Sequence, residues 1–109
     1  MREHRDRRLH DGAVATANGK ELGTAGHTTA VFQIWGTFVA TITFEARLGT
    51  GTWVAVTATN LTTAAAATTT AAAGLYRVNC AGLAVMRARV SAFTSGAVYV
   101  VARVTEAGS

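Results

Sequence analysis

The chain is 109 residues long, half of them hydrophobic, with a formal net charge of +4, one cysteine and no proline. That length fits one domain, which on folding buries roughly two-thirds of its unfolded surface. The lone cysteine excludes an internal disulfide framework, and no run approaches the ~20 apolar residues that a membrane-spanning helix needs. The N-terminus is charged with no apolar run behind it, so a soluble protein made in the cytoplasm, without an export signal, is expected.

Met1 to His10 is dense in charge of both signs and nearly free of apolar residues, a composition that reads as an arm. Two readings stay open for it: a disordered tail, or an arm that orders against a neighbouring subunit through Arg2, Arg5, Arg7, Arg8, Leu9 and His10. Asp11 to Thr29 is rich in glycine and small polar residues, with a weak strand around Ala13 to Ala17 and a turn at Asn18-Gly19. Residues 1–28 are therefore expected to be a charged, Gly-rich arm and linker, residues 29–105 the folded domain, and residues 106–109 a frayed end.

From Ala30 the character changes. In Ala30 to Gly36, Phe32 and Ile34 face opposite to Val31, Gln33 and Trp35. In Phe38 to Glu45, Phe38, Ala40, Ile42 and Phe44 alternate with Val39, Thr41, Thr43 and Glu45, the period of a half-buried strand. Leu48 to Gly51 turns this strand into a second run from Thr52 to Val56, a hairpin anchored by Trp53. Thr57 to Ala73 sets helix-prone alanines among threonines, and reads as a weak strand or long connection over about Thr62 to Thr70, with a short helix as competitor. Asn60-Leu61-Thr62 matches a glycosylation sequon that carries no weight without a secretory signal. Gly74 to Gly82 and Leu83 to Phe93 are further strands, the second with Met86, Ala88 and Val90 opposite Arg87, Arg89 and Ser91. Thr94-Ser95-Gly96 reads as a turn into Ala97 to Thr105, which makes a second hairpin of the last two strands.

The pattern predicts an all-β fold, an antiparallel β-sandwich or jelly roll of seven to eight short strands. Its expected core is Phe32, Ile34, Phe38, Ile42, Phe44, Trp53, Val56, Leu75, Val78, Val90, Val98 and Val100, with Cys80 as a small buried residue.

Catalytic chemistry has few parts to draw on. Of six carboxylates only Glu45 lies in the expected body, and His4, His10 and His27 all precede the first clear strand. No cluster has metal-ligand spacing, and neither a phosphate loop nor a nucleophile elbow is present, so no enzyme, metal or cofactor is expected. The patterned charges are Arg77, Arg87, Arg89 and Arg103. Alternation places Arg87 and Arg89 on one outer face, and strand pairing could bring Arg103 beside them, as a polar interface or simply as solvated side chains. Trp35, Trp53, Tyr76 and Tyr99 would have to line an exposed groove to stack sugars; otherwise the tryptophans belong to the core. Nucleic acid is not expected as a partner, because the positive charge is too dilute.

The succession Gly36-Thr37-Phe38, Thr41 to Glu45, Gly51-Thr52-Trp53, Ala73 to Arg77, Gly82-Leu83, Val85 to Ser91 and Thr94 to Val98 resembles small β-sandwich structural proteins of tailed bacteriophages, over roughly Ala30 to Val104. The Ala/Thr stretch and the Arg-rich first ten residues depart from that pattern. The resemblance implies a virion protein, most simply a capsid decoration protein that binds the major capsid protein or other virion proteins as a homo-oligomer. The alternative it leaves is a tail- or fibre-associated module, with carbohydrate binding as an option.

Overall fold

The computed structural model describes residues 6–105, and every strand pair in it is antiparallel. Six strands carry the fold: β1 (Arg7–Ala13), β3 (Thr29–Trp35), β4 (Phe38–Arg47), β9 (Gly74–Asn79), β10 (Val85–Gly96) and β11 (Val98–Thr105). Five of two or three residues complete it: β2 (Leu22–Gly23), β5 (Val54–Ala55), β6 (Ala58–Asn60), β7 (Ala66–Ala67) and β8 (Thr69–Thr70). One sheet runs β1-β11-β3-β9-β6-β7 and the other β2-β10-β4-β5, with β8 on β4 beside β5. The β-sandwich expected from the sequence is the observed architecture.

The core lies between the sheets and follows the alternation of the long strands. Phe32, Ile34, Ile42, Phe44, Val78, Met86, Val90, Val98 and Val100 are fully buried, and Cys80 with them. Phe32 meets Phe44 edge to face at 5.4 Å between ring centroids, and Tyr76 packs on the other side of Phe44 at the same distance. Phe38 and Val56 close the margins, half-buried. Leu75 departs from the expected core: it lies 41% exposed on the outer face of the six-stranded sheet, one register step from the inward Tyr76. Trp53 departs as well, half-buried outside the sandwich.

The N-terminal segment corrects the expectation of an arm. Arg7–Ala13 pairs with β11 as an edge strand, and Leu9 (3% exposed) and His10 (5%) are both buried. Two neighbours face inward because the register shifts between Arg8 and His10, a β-bulge that puts an extra residue on β1. Arg7 and Arg8 stay exposed, and Arg8 pairs with Asp11 at 2.8 Å. Arg2, Arg5 and the fraying expected for residues 106–109 fall outside the described residues.

The expected linker is part of the sandwich too. The Ala17 and Val90 backbones exchange two hydrogen bonds (3.1 and 2.8 Å), and β2 pairs with Val85 and Met86 farther along the same edge of β10. Between them the Ala88 carbonyl accepts a hydrogen bond from His10 Nε2 at 2.5 Å. A histidine from one sheet thus fills the gap in the edge of the other.

The hairpin β4–β5 forms as read, with Glu45 opposite Ala55 and Ala46 opposite Val54. The second expected hairpin does not. β10 pairs with β4 and β2, whereas β11 pairs with β1 and β3. Gly96, at φ +91°, carries the chain across from one sheet to the other. The crossing from β3 to β4 at Gly36 (φ +117°) lies against it, joined by the bond from Ala97 N–H to the Thr37 carbonyl at 3.0 Å. At both glycines a Cβ would run into backbone of the opposite crossing: the Ala97 carbonyl for Gly36, the Thr37 carbonyl for Gly96.

The Ala/Thr stretch holds no helix. It contributes β6 and β7 to one sheet and β8 to the other, between β5 before it and β9 after it, closing the side away from β1. Small side chains suit a segment that crosses a thin edge. Asn60 caps its turn, its side-chain oxygen accepting from Thr62 N–H at 2.8 Å, and Ala64 takes the left-handed conformation there (φ +64°). The Tyr76 hydroxyl donates to the Ala72 carbonyl and meets Thr70 Oγ1, both at 2.7 Å.

Candidate interaction site

The patterned arginines divide between the two sheets. Arg87 and Arg89 stand on the outer face of β10; Arg77 and Arg103 stand on the outer face of the six-stranded sheet, both in register with Val31. Arg103 therefore does not join Arg87 and Arg89 as pairing was expected to allow. It pairs with Asp6 at 2.7 Å, with both side chains half-exposed, an arrangement of little energetic weight.

Arg87 and Arg89 meet through Glu45. Glu45 lies directly across from Arg87, and Arg89 across from Thr43. Arg87 Nε donates to Glu45 Oε1 at 2.8 Å and Arg89 Nε to the same oxygen at 3.2 Å. Burial pushes the Glu45 carboxyl up, but the hydrogen bonds and charges of the two guanidinium groups outweigh it and hold the carboxyl below the ordinary value. The Arg87 guanidinium also covers the Trp53 ring at 4.1 Å, and Arg47 lies over the same ring at 4.9 Å while facing Glu21 at 3.7 Å. Beyond Arg89 the ladder continues as hydrogen bonds from Thr43 Oγ1 to Ser91 Oγ and from Ser91 Oγ to the Thr41 carbonyl.

The result is a fixed polar stripe along β4 and β10 with an aromatic ring at one end. Sequence reading picked out Arg87 and Arg89 but missed Glu45 and Arg47 as their companions. The available signal was opposite charge on the outward faces of two strands that could pair.

The aromatic residues share no groove. Trp35 and Tyr99 stack on the outer face of the six-stranded sheet, with ring centroids 5.5 Å apart and Arg8 5.1 Å from the Trp35 centroid. Trp53 belongs to the other sheet, and Tyr76 is buried with its hydroxyl bonded to the Ala/Thr segment. The four cannot act together on a sugar, because a layer of core separates them. Trp35 and Trp53 are surface rings, each already covered by aromatic or cationic partners.

Beside Leu75, Val31, Gln33, Val101 and Arg103 the six-stranded sheet carries a shallow hollow of about 330 Å³. Among the described residues no group of three or more His, Cys, Asp or Glu stands close enough together to hold a metal ion. Cys80 is buried, and burial pushes its thiol up, away from the reactive thiolate.

Fold and site together define a two-sheet antiparallel β-sandwich whose patterned chemistry lies on the outer faces of its sheets rather than in a cleft. The chain belongs to the XepA family, whose profile matches residues 3–104. Among solved structures it is similar to the SPBc2 prophage-derived protein YomS, with 26% identity and a TM-score of 0.81 over 94% of this chain and 92% of that one. It also shares the fold of the PBSX exported protein XepA, with a TM-score of 0.88 and 16% identity over 94% of this chain, which spans 37% of the XepA chain. No curated protein sequence matches the chain. This is a phage-related β-sandwich.

Proposed function

We propose that this chain is a non-enzymatic structural protein of a phage particle, acting by packing as a homo-oligomer onto other particle proteins, most simply the major capsid protein as a decoration protein. The observation that carries the reading is membership of the XepA family together with similarity, along almost its whole length, to the SPBc2 prophage-derived protein YomS. A compact sandwich with arginines and aromatic rings fixed on its outer faces suits protein contact, where such residues concentrate binding energy. A lattice further multiplies weak contacts through avidity. Attachment to the tail or fibre is the alternative place in the particle.

The test is to mix the purified full-length protein with empty phage capsids and with separated tails, and to image both by cryo-electron microscopy. Density at repeated lattice positions on the shell supports decoration. Density confined to tails moves the protein there. Absence from both, with the protein recovered free in the medium of induced cells, overturns the particle role in favour of export, which the name of XepA records for that protein.

A further inference from the structure

The Arg87–Glu45–Arg89 group has the composition of an incomplete ion cluster. Glu45 Oε1 takes one N–H from each guanidinium, which brings the two Nε atoms to at most about 6 Å apart. A guanidinium has five N–H donors. The four that remain on each arginine have no acceptor among the described residues. The charges do not cancel either: among the described residues Arg47, Arg87 and Arg89 face only Glu45 and the half-exposed Glu21, an excess of one positive charge.

The group is also held ready. Arg87 is only 13% exposed, fixed between Glu45 and the Trp53 ring, so little side-chain freedom is left to lose on binding. Arg89, at 35%, is open enough to be reached. Directly after Arg47, at the Trp53 end of the stripe, Leu48 stands 58% exposed, apolar surface that a polypeptide can cover and a free ion cannot.

We propose that Arg87 and Arg89 form a receptor for one carboxylate of an acidic, partly apolar segment of a partner protein, a neighbouring apolar side chain of which covers Leu48. The proposal rests on the particle reading above and names the chemistry of the contact. A shared pair of guanidinium groups clamps a single carboxylate through charge-assisted bonds, and the incoming charge neutralises the cluster.

The experiment uses full-length protein and three probes: an end-capped five-residue peptide alternating leucine and aspartate, the same peptide with asparagine for aspartate, and inorganic phosphate. NMR shifts of the Arg87 and Arg89 Nε–H groups are followed during titration. The aspartate peptide is expected to give a saturable shift that weakens at least fivefold in Arg89→Gln, weakens in 0.5 M salt, and is unchanged in Arg77→Gln on the opposite sheet. Arg89→Gln is chosen because it leaves the more buried Arg87 on Glu45, and an unchanged NMR fingerprint elsewhere verifies its fold.

No saturable shift, an equal response to the asparagine peptide, or full binding by Arg89→Gln would overturn the proposal. Phosphate binding as tightly as the peptide would overturn it in favour of a small-anion site. Capsid mixing separates the two levels. Peptide binding without particle association leaves the receptor standing and removes the particle reading. Particle association undiminished in Arg89→Gln, without peptide binding, does the reverse.

Discussion

Glu45 shows how a single side chain can be legible in kind and illegible in role. Its outward alternation on β4 was plain, yet it is 8% exposed because Arg87 and Arg89 close over it. Glu45→Gln keeps the shape and removes the charge, and should destabilise the protein by about 1–2 kcal/mol at pH 7. The sign with pH follows from the lowered carboxyl: its contribution is complete above the unfolded value of 4.5 and is lost as pH falls through the lower folded value. Urea unfolding of both proteins from pH 7 to pH 3 should therefore show the gap between them closing on the acid side. Leu9 provides a second test at this scale. As a buried side chain of β1 it should cost about 2–4 kcal/mol when changed to alanine, whereas a residue of a free arm would cost almost nothing.

Among the elements, the sequence was clearest where period two was unbroken. β3, β4 up to Glu45, and β11 present the predicted faces, and the hairpin into β5 stands where Gly49 and Gly51 indicated. It misled where one residue changes the rule. The bulge at Arg8–His10 hid β1 behind a charged composition, and Thr94-Ser95-Gly96 has the residues of a turn but is the end of a strand that passes to the opposite sheet. A local pattern cannot distinguish a hairpin from a crossing, because glycine and small polar residues mark both; only the partner strands decide. The glycines give a paired prediction. Gly96→Ala meets both the strain of φ +91° and the Thr37 carbonyl, and should cost at least about 2 kcal/mol; Gly82→Ala, at φ +84° in open space, should cost about 1 kcal/mol. Thermal or urea unfolding of the two variants separates conformational strain from collision. Tyr76→Phe tests the Ala/Thr segment: loss of the hydroxyl bonds to Ala72 and Thr70 should cost about 1–2 kcal/mol and speed protease cleavage within residues 62–73, read by mass spectrometry of the first fragments.

For the whole molecule, the topology joins sequence-distant strands almost everywhere. β1 pairs with β11, β3 with both β11 and β9, and β4 with β10. Such non-local pairing predicts refolding in milliseconds to seconds. With no proline in the chain, stopped-flow refolding should lack the slow phase of tens of seconds that prolyl isomerisation imposes. The candidate site belongs to this scale as well, since its members come from β4, β10 and the loop before β5, and only the paired sheet brings them together.

The lateral margins of the sandwich carry one further consequence. β2, β5, β7 and β8 are each two residues long, and β1, the longest marginal strand, is bulged twice and partly occupied where Lys20 N–H bonds to the Leu9 carbonyl. Short or bulged margins offer a foreign strand almost no ladder to extend. Copies of such a domain can be crowded together without their sheets fusing into fibres, and any contact between them would run through side chains, able to form and release one domain at a time.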